Sequence, residues 1–173
     1  SVLIISPDSI LIIGDKKDPE YWKDENAQTI INAFKTKMNA AGYTAVDKDD
    51  ADLGLQVSYV ASTYYFHGYY NDGPWWGYYP GYWYPGYWGG NWGGGWYYPY
   101  PITYSYSTGS LLADMINLKN APEGQKEKLT VVWNAYISGL LGGSGSLNVN
   151  RTTTAINQAF TQSPYLKKIN VSE

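Results

Sequence analysis

The sequence has no cysteine and a single histidine, His67. Without cysteine there can be no disulfide, thiolate nucleophile, zinc–sulfur site or iron–sulfur cluster. A single histidine also leaves little for the usual metal and acid–base constellations. These absences argue against most metal-dependent, redox and nucleophilic enzymes, and we expect no cofactor and no bound metal.

Charged residues are also scarce, at 16% of the chain, and the formal net charge is −3. No basic field is available to hold a phosphate backbone, so we expect no nucleic-acid partner. No apolar run approaches the roughly 18 residues that span a bilayer. The longest runs, Val2–Ile5 and Ile10–Ile13, have the length of buried strands.

Aromatic residues are abundant, with 19 Tyr and 8 Trp, and they concentrate in residues 64–101, here called the aromatic insertion. Half of its residues are aromatic, most others are Gly or Pro, and Asp72 is its one formal charge. Tyr-Pro-Gly-Tyr-Trp occurs twice in tandem, at Tyr79–Trp83 and Tyr84–Trp88. Pro followed by Gly is typical of a type II turn. We therefore predict tight turns here, without regular helix or strand.

The residues before the insertion predict a strand, a helix and a second strand. Asp24 is a suitable N-cap, and Gly42 can end the helix with a positive φ. Residues 53–61 alternate between apolar and polar, which predicts a strand with one face toward a core. The apolar positions at helical spacing are Ala27, Ile30, Ile31, Phe34, Met38 and Ala41.

The residues after the insertion predict two strands and a second helix. Residues 104–118 suggest one long strand with a kink or bulge near Gly109, and residues 129–137 alternate clearly. We interpret residues 139–146, rich in Gly and Ser, as a flexible linker that leads to an N-cap at Asn150. The helical stripe that follows is Ala155, Ile156, Ala159 and Phe160.

The element order β-α-β-insertion-β-β-α predicts an α+β fold. We expect a two-layer sandwich in which a small mixed or antiparallel sheet carries two helices on one face. Residues 1–173 would form a single domain, with the aromatic insertion at 64–101 inside it.

Motifs that could carry catalysis are weak in this sequence. The glycines at 139–146 lack the Lys-Ser/Thr of a phosphate-binding loop, and the acids at 47–52 lack the Gly and Glu of an EF-hand. Asp114 could pair with a remote acid in a two-carboxylate hydrolase, but nothing singles out the partner. We expect no enzymatic activity and no catalytic residues.

The aromatic insertion leaves three functions open. It could cover the sheet face that lacks helices, present rings to a glycan or protein, or mediate membrane association or self-assembly. Exposed rings suit sugar and protein contacts, whereas nucleic-acid binding would need the cations that the insertion lacks. The candidate ligand- or partner-binding residues are Trp75, Trp76, Tyr82, Trp83, Tyr87 and Trp88.

Four segments in order resemble domain-of-unknown-function family 4136, whose members include Bacteroides-type lipoproteins. The segments are Ala51–Tyr59, Tyr104–Leu112, the strand around Trp133, and Ala155–Pro164. Members of this family place an acid near the end of the third strand, where this chain has Asn117. The family has no established activity, so the resemblance assigns no catalytic residue.

The resemblance implies an exported protein of the bacterial cell envelope, anchored at the outer membrane by a lipid upstream of Ser1. Our hypothesis is a non-catalytic lipoprotein that acts in structure or protein interaction through the aromatic insertion, with an envelope protein or glycan as partner. The alternative is a glycan-binding module that stacks sugars on Trp and Tyr rings, and a third option is an envelope hydrolase.

Overall fold

The computed structural model describes residues 3–5, 10–13, 20–47, 50–61, 64–68, 96–97, 102–106, 108–118 and 129–166. In chain order, these residues form β1 Leu3–Ile5, β2 Ile10–Ile13, β3 Glu20–Trp22, α1 Glu25–Ala40, β4 Thr44–Ala45, β5 Leu53–Val60, β6 Tyr64–Gly68, β7 Trp96–Tyr97, β8 Ile102–Tyr106, β9 Ser110–Asn117, β10 Leu129–Ile137, α2 Val149–Thr161 and a 3-10 helix at Pro164–Leu166.

Most of the described strands form one open, mixed sheet in the order β3-β2-β5-β9-β10-β7, with β1 paired to β4 and β5. Its centre is antiparallel, because β9 pairs antiparallel with both β5 and β10. The pairings of β5 with β1 and β2 are parallel. With two helices against this sheet, the predicted α+β class is confirmed.

Helix α1 begins and ends as the sequence predicts. Asp24 is the N-cap, and its side chain accepts a hydrogen bond of 2.9 Å from the Ala27 amide. The pKa of Asp24 is lowered, first by a side-chain hydrogen bond from Trp22 and then by the Ala27 amide, because both favour the carboxylate. Gly42 follows the helix with a φ of 95°, a conformation that glycine adopts at little cost.

The two helices cover one face of the sheet and bury a shared core beneath them. Phe160 of α2 meets Phe34 of α1 edge-on at a centroid distance of 6.1 Å. It also lies 5.4 Å from the ring of Trp133 in β10. The Trp133 indole donates to Ser163 Oγ at 3.2 Å, so the burial of this large ring satisfies its polar group. The expected placement of both helices on one face is confirmed.

Several local predictions were wrong. The short strands β3 and β4 were not predicted, and no strand was predicted in the aromatic insertion, where β6 and β7 occur. The long strand predicted at 104–118 is two strands, β8 and β9, in different sheets. Helix α2 is capped by Asn148 rather than Asn150. These errors concern places where tertiary pairing outweighs the local sequence pattern.

β6 and β8 pair with each other in a separate two-stranded sheet, here called the β6–β8 ribbon. Its register continues that of β5 and β9. Val60 pairs with Ser110, and four residues further along each strand Tyr64 pairs with Tyr106. The register of the β5–β9 pairing therefore continues into the ribbon without a slip.

Gly109 lies where β8 gives way to β9, and a side chain does not fit there. Its φ is 79°, and a methyl group built on its Cα would overlap the side chain of Leu141. Its amide also donates to the carbonyl of Val60 at 2.8 Å, which closes the β5–β9 ladder. Glycine at this position thus permits both the backbone turn and the close approach of the loop after β10.

We predict that Gly109→Ala lowers the free energy of unfolding by about 2–4 kcal/mol, from backbone strain and overpacking together. Gly139→Ala is the matched control, because Gly139 has a φ of 72° and open space where the added methyl group would lie. Its cost should be backbone strain alone, about 1–2 kcal/mol. Urea denaturation measures both values, and equal losses would contradict the steric part of the argument.

Candidate functional site

The six aromatic residues predicted as the contact site all lie outside the described residues: Trp75, Trp76, Tyr82, Trp83, Tyr87 and Trp88. What the structure places are strands at both ends of their segment. β6 ends at Gly68, which pairs with Ile102, and β7 at Trp96–Tyr97 pairs with the start of β10. Residues 69–95 therefore connect two points that are each fixed by strand pairing.

A polar row crosses the centre of the sheet on the face opposite the helices, here called the second face. Asp114 of β9 is in register with Gln56 of β5 on one side and with Asn134 of β10 on the other. Directly opposed residues in antiparallel strands have Cα atoms about 4.5–5.5 Å apart, so the three side chains are close neighbours. Asp114, which carries the carboxylate of the row, therefore lies between two residues with amide side chains, Gln56 and Asn134.

The polar row is buried. Asp114 is 0% exposed and Gln56 is 5% exposed, while Asn134 is half-buried. Each of the three residues takes part in at least one further interaction. Buried polar groups are tolerated when they are hydrogen-bonded, and a buried carboxylate is the most demanding of them. The row is therefore an energetically costly feature in the middle of the sheet.

Three hydroxyl-bearing residues, Ser58, Ser110 and Tyr136, flank the row on the second face. Gln56 Nε2 donates to Ser58 Oγ at 3.4 Å, and Ser110 Oγ lies 3.1 Å from Tyr136 Oη. Ser58 and Ser110 are both 0% exposed. The apolar side chains of the second face are also buried and lie outside the core beneath the helices; they are Val60, Leu112 and Ile116.

The sequence predicted β5 as a strand with one buried face, but both faces are buried. Leu55 and Val57 belong to the core beneath the helices, whereas Gln56 and Ser58 lie on the second face. The available signal was the mostly apolar run of β9, since a strand buried on both faces loses strict alternation. Asp114 stands within that run as its one charged residue.

The chemistry of the row bears on the hydrolase alternative. Glycoside hydrolysis uses two carboxyl groups that flank the scissile bond. The two residues in register with Asp114 are amides, Gln56 and Asn134, so the row itself supplies one carboxyl group. Among the described residues, no group of three or more His, Asp or Glu could hold a metal ion.

The loop after β10 is an organised turn, and our interpretation of it as a flexible linker was wrong. Arg151 Nη1 donates to the carbonyls of Gly139 and Leu141 at 3.2 and 2.9 Å. The amide of Gly142 donates to the Ser146 carbonyl at 2.7 Å. The Arg151 guanidinium is thereby committed to backbone carbonyls of its own loop, which does not resemble a phosphate site.

The half-buried tyrosines of the helix face show the effect of burial on ionisation. Burial raises the pKa of Tyr59 and of Tyr43 above the usual value of 10.0, because the phenolate is poorly solvated there. Tyr59 meets Trp22 edge-on at 5.8 Å. Both tyrosines therefore stay protonated and act as packing residues.

In the part of the chain described, no helix is long and apolar enough to cross a bilayer.

An open mixed sheet with two helices on one face and a buried polar row on the other defines an α+β domain. Residues 7–165 match the family described as Domain of unknown function (DUF4136), and the chain belongs to that family. The resemblance inferred from four segments is thus confirmed over nearly the whole chain.

The chain is also similar to a protein of known crystal structure, a DUF4136 family protein from Bacteroides thetaiotaomicron VPI-5482. The two are 51% identical, and the match covers 96% of this chain and 89% of that chain with a TM-score of 0.79. No curated protein matches the sequence.

We predict that Asp114→Leu lowers the free energy of unfolding by about 2 kcal/mol or more, because buried amides would then face an alkyl group. Asp114→Asn keeps the shape and one carbonyl acceptor and should cost less. Asp47→Leu is the control, since exposed Asp47 should change stability by less than about 0.5 kcal/mol. If Asp114→Leu is as stable as the control in urea titrations, the row does not stabilise the sheet through polar pairing.

Proposed function

We propose that this protein is a non-catalytic, exported lipoprotein of the bacterial cell envelope that acts in structure or protein interaction. Its contact surface would be the aromatic insertion, chiefly Trp75, Trp76, Tyr82, Trp83, Tyr87 and Trp88. The observation that carries the proposal is a Trp/Tyr-rich segment, free of Lys and Arg, whose flanking strands are both tied down by pairing.

The composition of the insertion suits protein contacts. Tyr and Trp supply large contact areas with few rotatable bonds, so their ordering on binding costs little entropy. They are also the residues most enriched at the energetic centres of interfaces. Strand pairing at Gly68 and at Trp96–Tyr97 further limits the conformations of the connection between them.

Other observations support an absence of catalysis and an envelope location. The chain has no cysteine and one histidine, and the in-register neighbours of buried Asp114 are amides. The resemblance to lipoproteins implies export and a lipid anchor at the outer membrane. The 51% identity to a Bacteroides thetaiotaomicron protein supports a bacterial origin.

Photo-crosslinking in the producing cells tests the interaction. We predict that a photoreactive amino acid at position 83 or 88 of the full-length protein yields a discrete cross-linked product with one envelope protein. The matched control is position 158 on α2, where exposed Gln158 lies away from the insertion in sequence. Equal products from all three positions, or none from 83 and 88, would contradict a specific contact surface.

A glycan-binding module is the second candidate, and the tandem Tyr-Pro-Gly-Tyr-Trp repeat favours it. Each repeat places a Tyr-Trp pair directly after a predicted tight turn, at Tyr82–Trp83 and at Tyr87–Trp88. Adjacent Tyr and Trp rings presented in this way can stack on the faces of sugar rings.

For this candidate we predict that envelope polysaccharides shift the tryptophan fluorescence of the protein, because stacked sugars change the indole environment. The double variant Trp83→Ala and Trp88→Ala should lose the shift, while Trp133→Phe, in the core beneath the helices, should keep it. An unchanged emission spectrum across a broad glycan panel would exclude the module.

A further inference from the structure

The β6–β8 ribbon cannot project straight out from the sheet, because β7 restrains it. Tyr97 pairs with Thr130, and Thr130 pairs with Asn117 at the far end of β9. Ile102 follows Tyr97 by five residues, so their Cα atoms are at most about 18 Å apart. Two strand spacings separate Tyr97 from Asn117, because β10 lies between β7 and β9. Ile102 therefore lies within about 28 Å of Asn117.

A straight continuation of β9 into β8 would violate that limit. Fifteen residues separate Ile102 from Asn117, which corresponds to about 50 Å in an extended strand. The ribbon must therefore turn back toward the end of the sheet where Leu53 pairs with Asn117. A reversal of well over a right angle is needed to bring the two distances into agreement.

The turn lies at the interruption between the two ladders. The described β5–β9 ladder ends at Val60 and Ser110, and the described ribbon begins at Tyr64 and Tyr106. Gly109, with its positive φ, lies within this interruption. The ribbon changes direction as a unit, because its register continues that of β5 and β9.

The second face is the side of the sheet that needs a cover. The helices occupy the other face, yet Ser58, Leu112 and Asp114 on the second face are all 0% exposed. Sheets stack face to face at about 10 Å, which is a distance that a ribbon returning from the break can reach. A two-stranded ribbon is in turn only marginally stable by itself and needs a surface to pack on.

We propose that the β6–β8 ribbon folds back over the second face of the sheet and docks on it as a closing layer. This placement brings both ends of the connection 69–95, at Gly68 and Trp96, to the end of the sheet where Leu53 lies. Partners of the insertion would then approach at that end. The placement does not depend on what the insertion binds, so either proposal can fail alone.

Distance measurements between spin labels on the full chain test the placement, and the absence of native cysteine makes labelling specific. Asp50→Cys lies just before β5 and is exposed, and Thr103→Cys lies in β8. A ribbon that folds back gives a separation below about 35 Å, whereas a projecting ribbon gives about 50 Å. The control pair, Asp50→Cys with Thr108→Cys, should give about 30 Å in either arrangement.

Methyl resonances then identify the covered face. A nitroxide at Thr103→Cys should broaden the methyl signals of Leu112 and Ile116, which lie on the second face. The methyl signals of Ile30 and Ile156, in the core beneath the helices, should be much less affected. A label separation above about 45 Å, or stronger broadening of Ile30 and Ile156, would overturn the proposal.

Discussion

The fold depends on the central antiparallel ladder of β5, β9 and β10, which is buried on both faces. On one face the helices α1 and α2 press apolar side chains such as Phe34 and Ile156 against it. On the other face the ladder carries Asp114 between Gln56 and Asn134. Apolar burial supplies the cohesion, whereas the polar row makes the register specific, because a slip of one residue would move the carboxylate to the helix side.

Much of this architecture could be predicted from residue spacing. Asp24, the apolar stripe of α1 and Gly42 define one helix because capping and amphipathicity are local properties. The alternation of Leu129–Ile137 defines β10 for the same reason. The α+β class follows from the order of such segments, together with the expectation that exposed apolar faces must pack.

Other features depend on contacts that no local pattern contains. β7 is two residues long and exists because it pairs with Leu129 and Thr130, far away in sequence. The preference for Asn148 over Asn150 as the cap of α2 reflects how Arg151 ties down the preceding loop. The polar row was hidden for a similar reason: the alternation of residues 53–61 predicted one face toward a core, and only the burial of the second face reveals the role of Gln56.

The uninterrupted register across the break between the two ladders has a consequence for how related chains can vary in length. One residue added to or removed from only one strand, between β5 and β6 or between β8 and β9, would shift that strand by one position against its partner and turn its side chains to the opposite face. Viable insertions and deletions should therefore occur in equal and even numbers in these two connections, or between Gly68 and Trp96. Length polymorphism among homologues should concentrate in residues 69–95, which leaves that stretch free to diversify while the ladder stays constant.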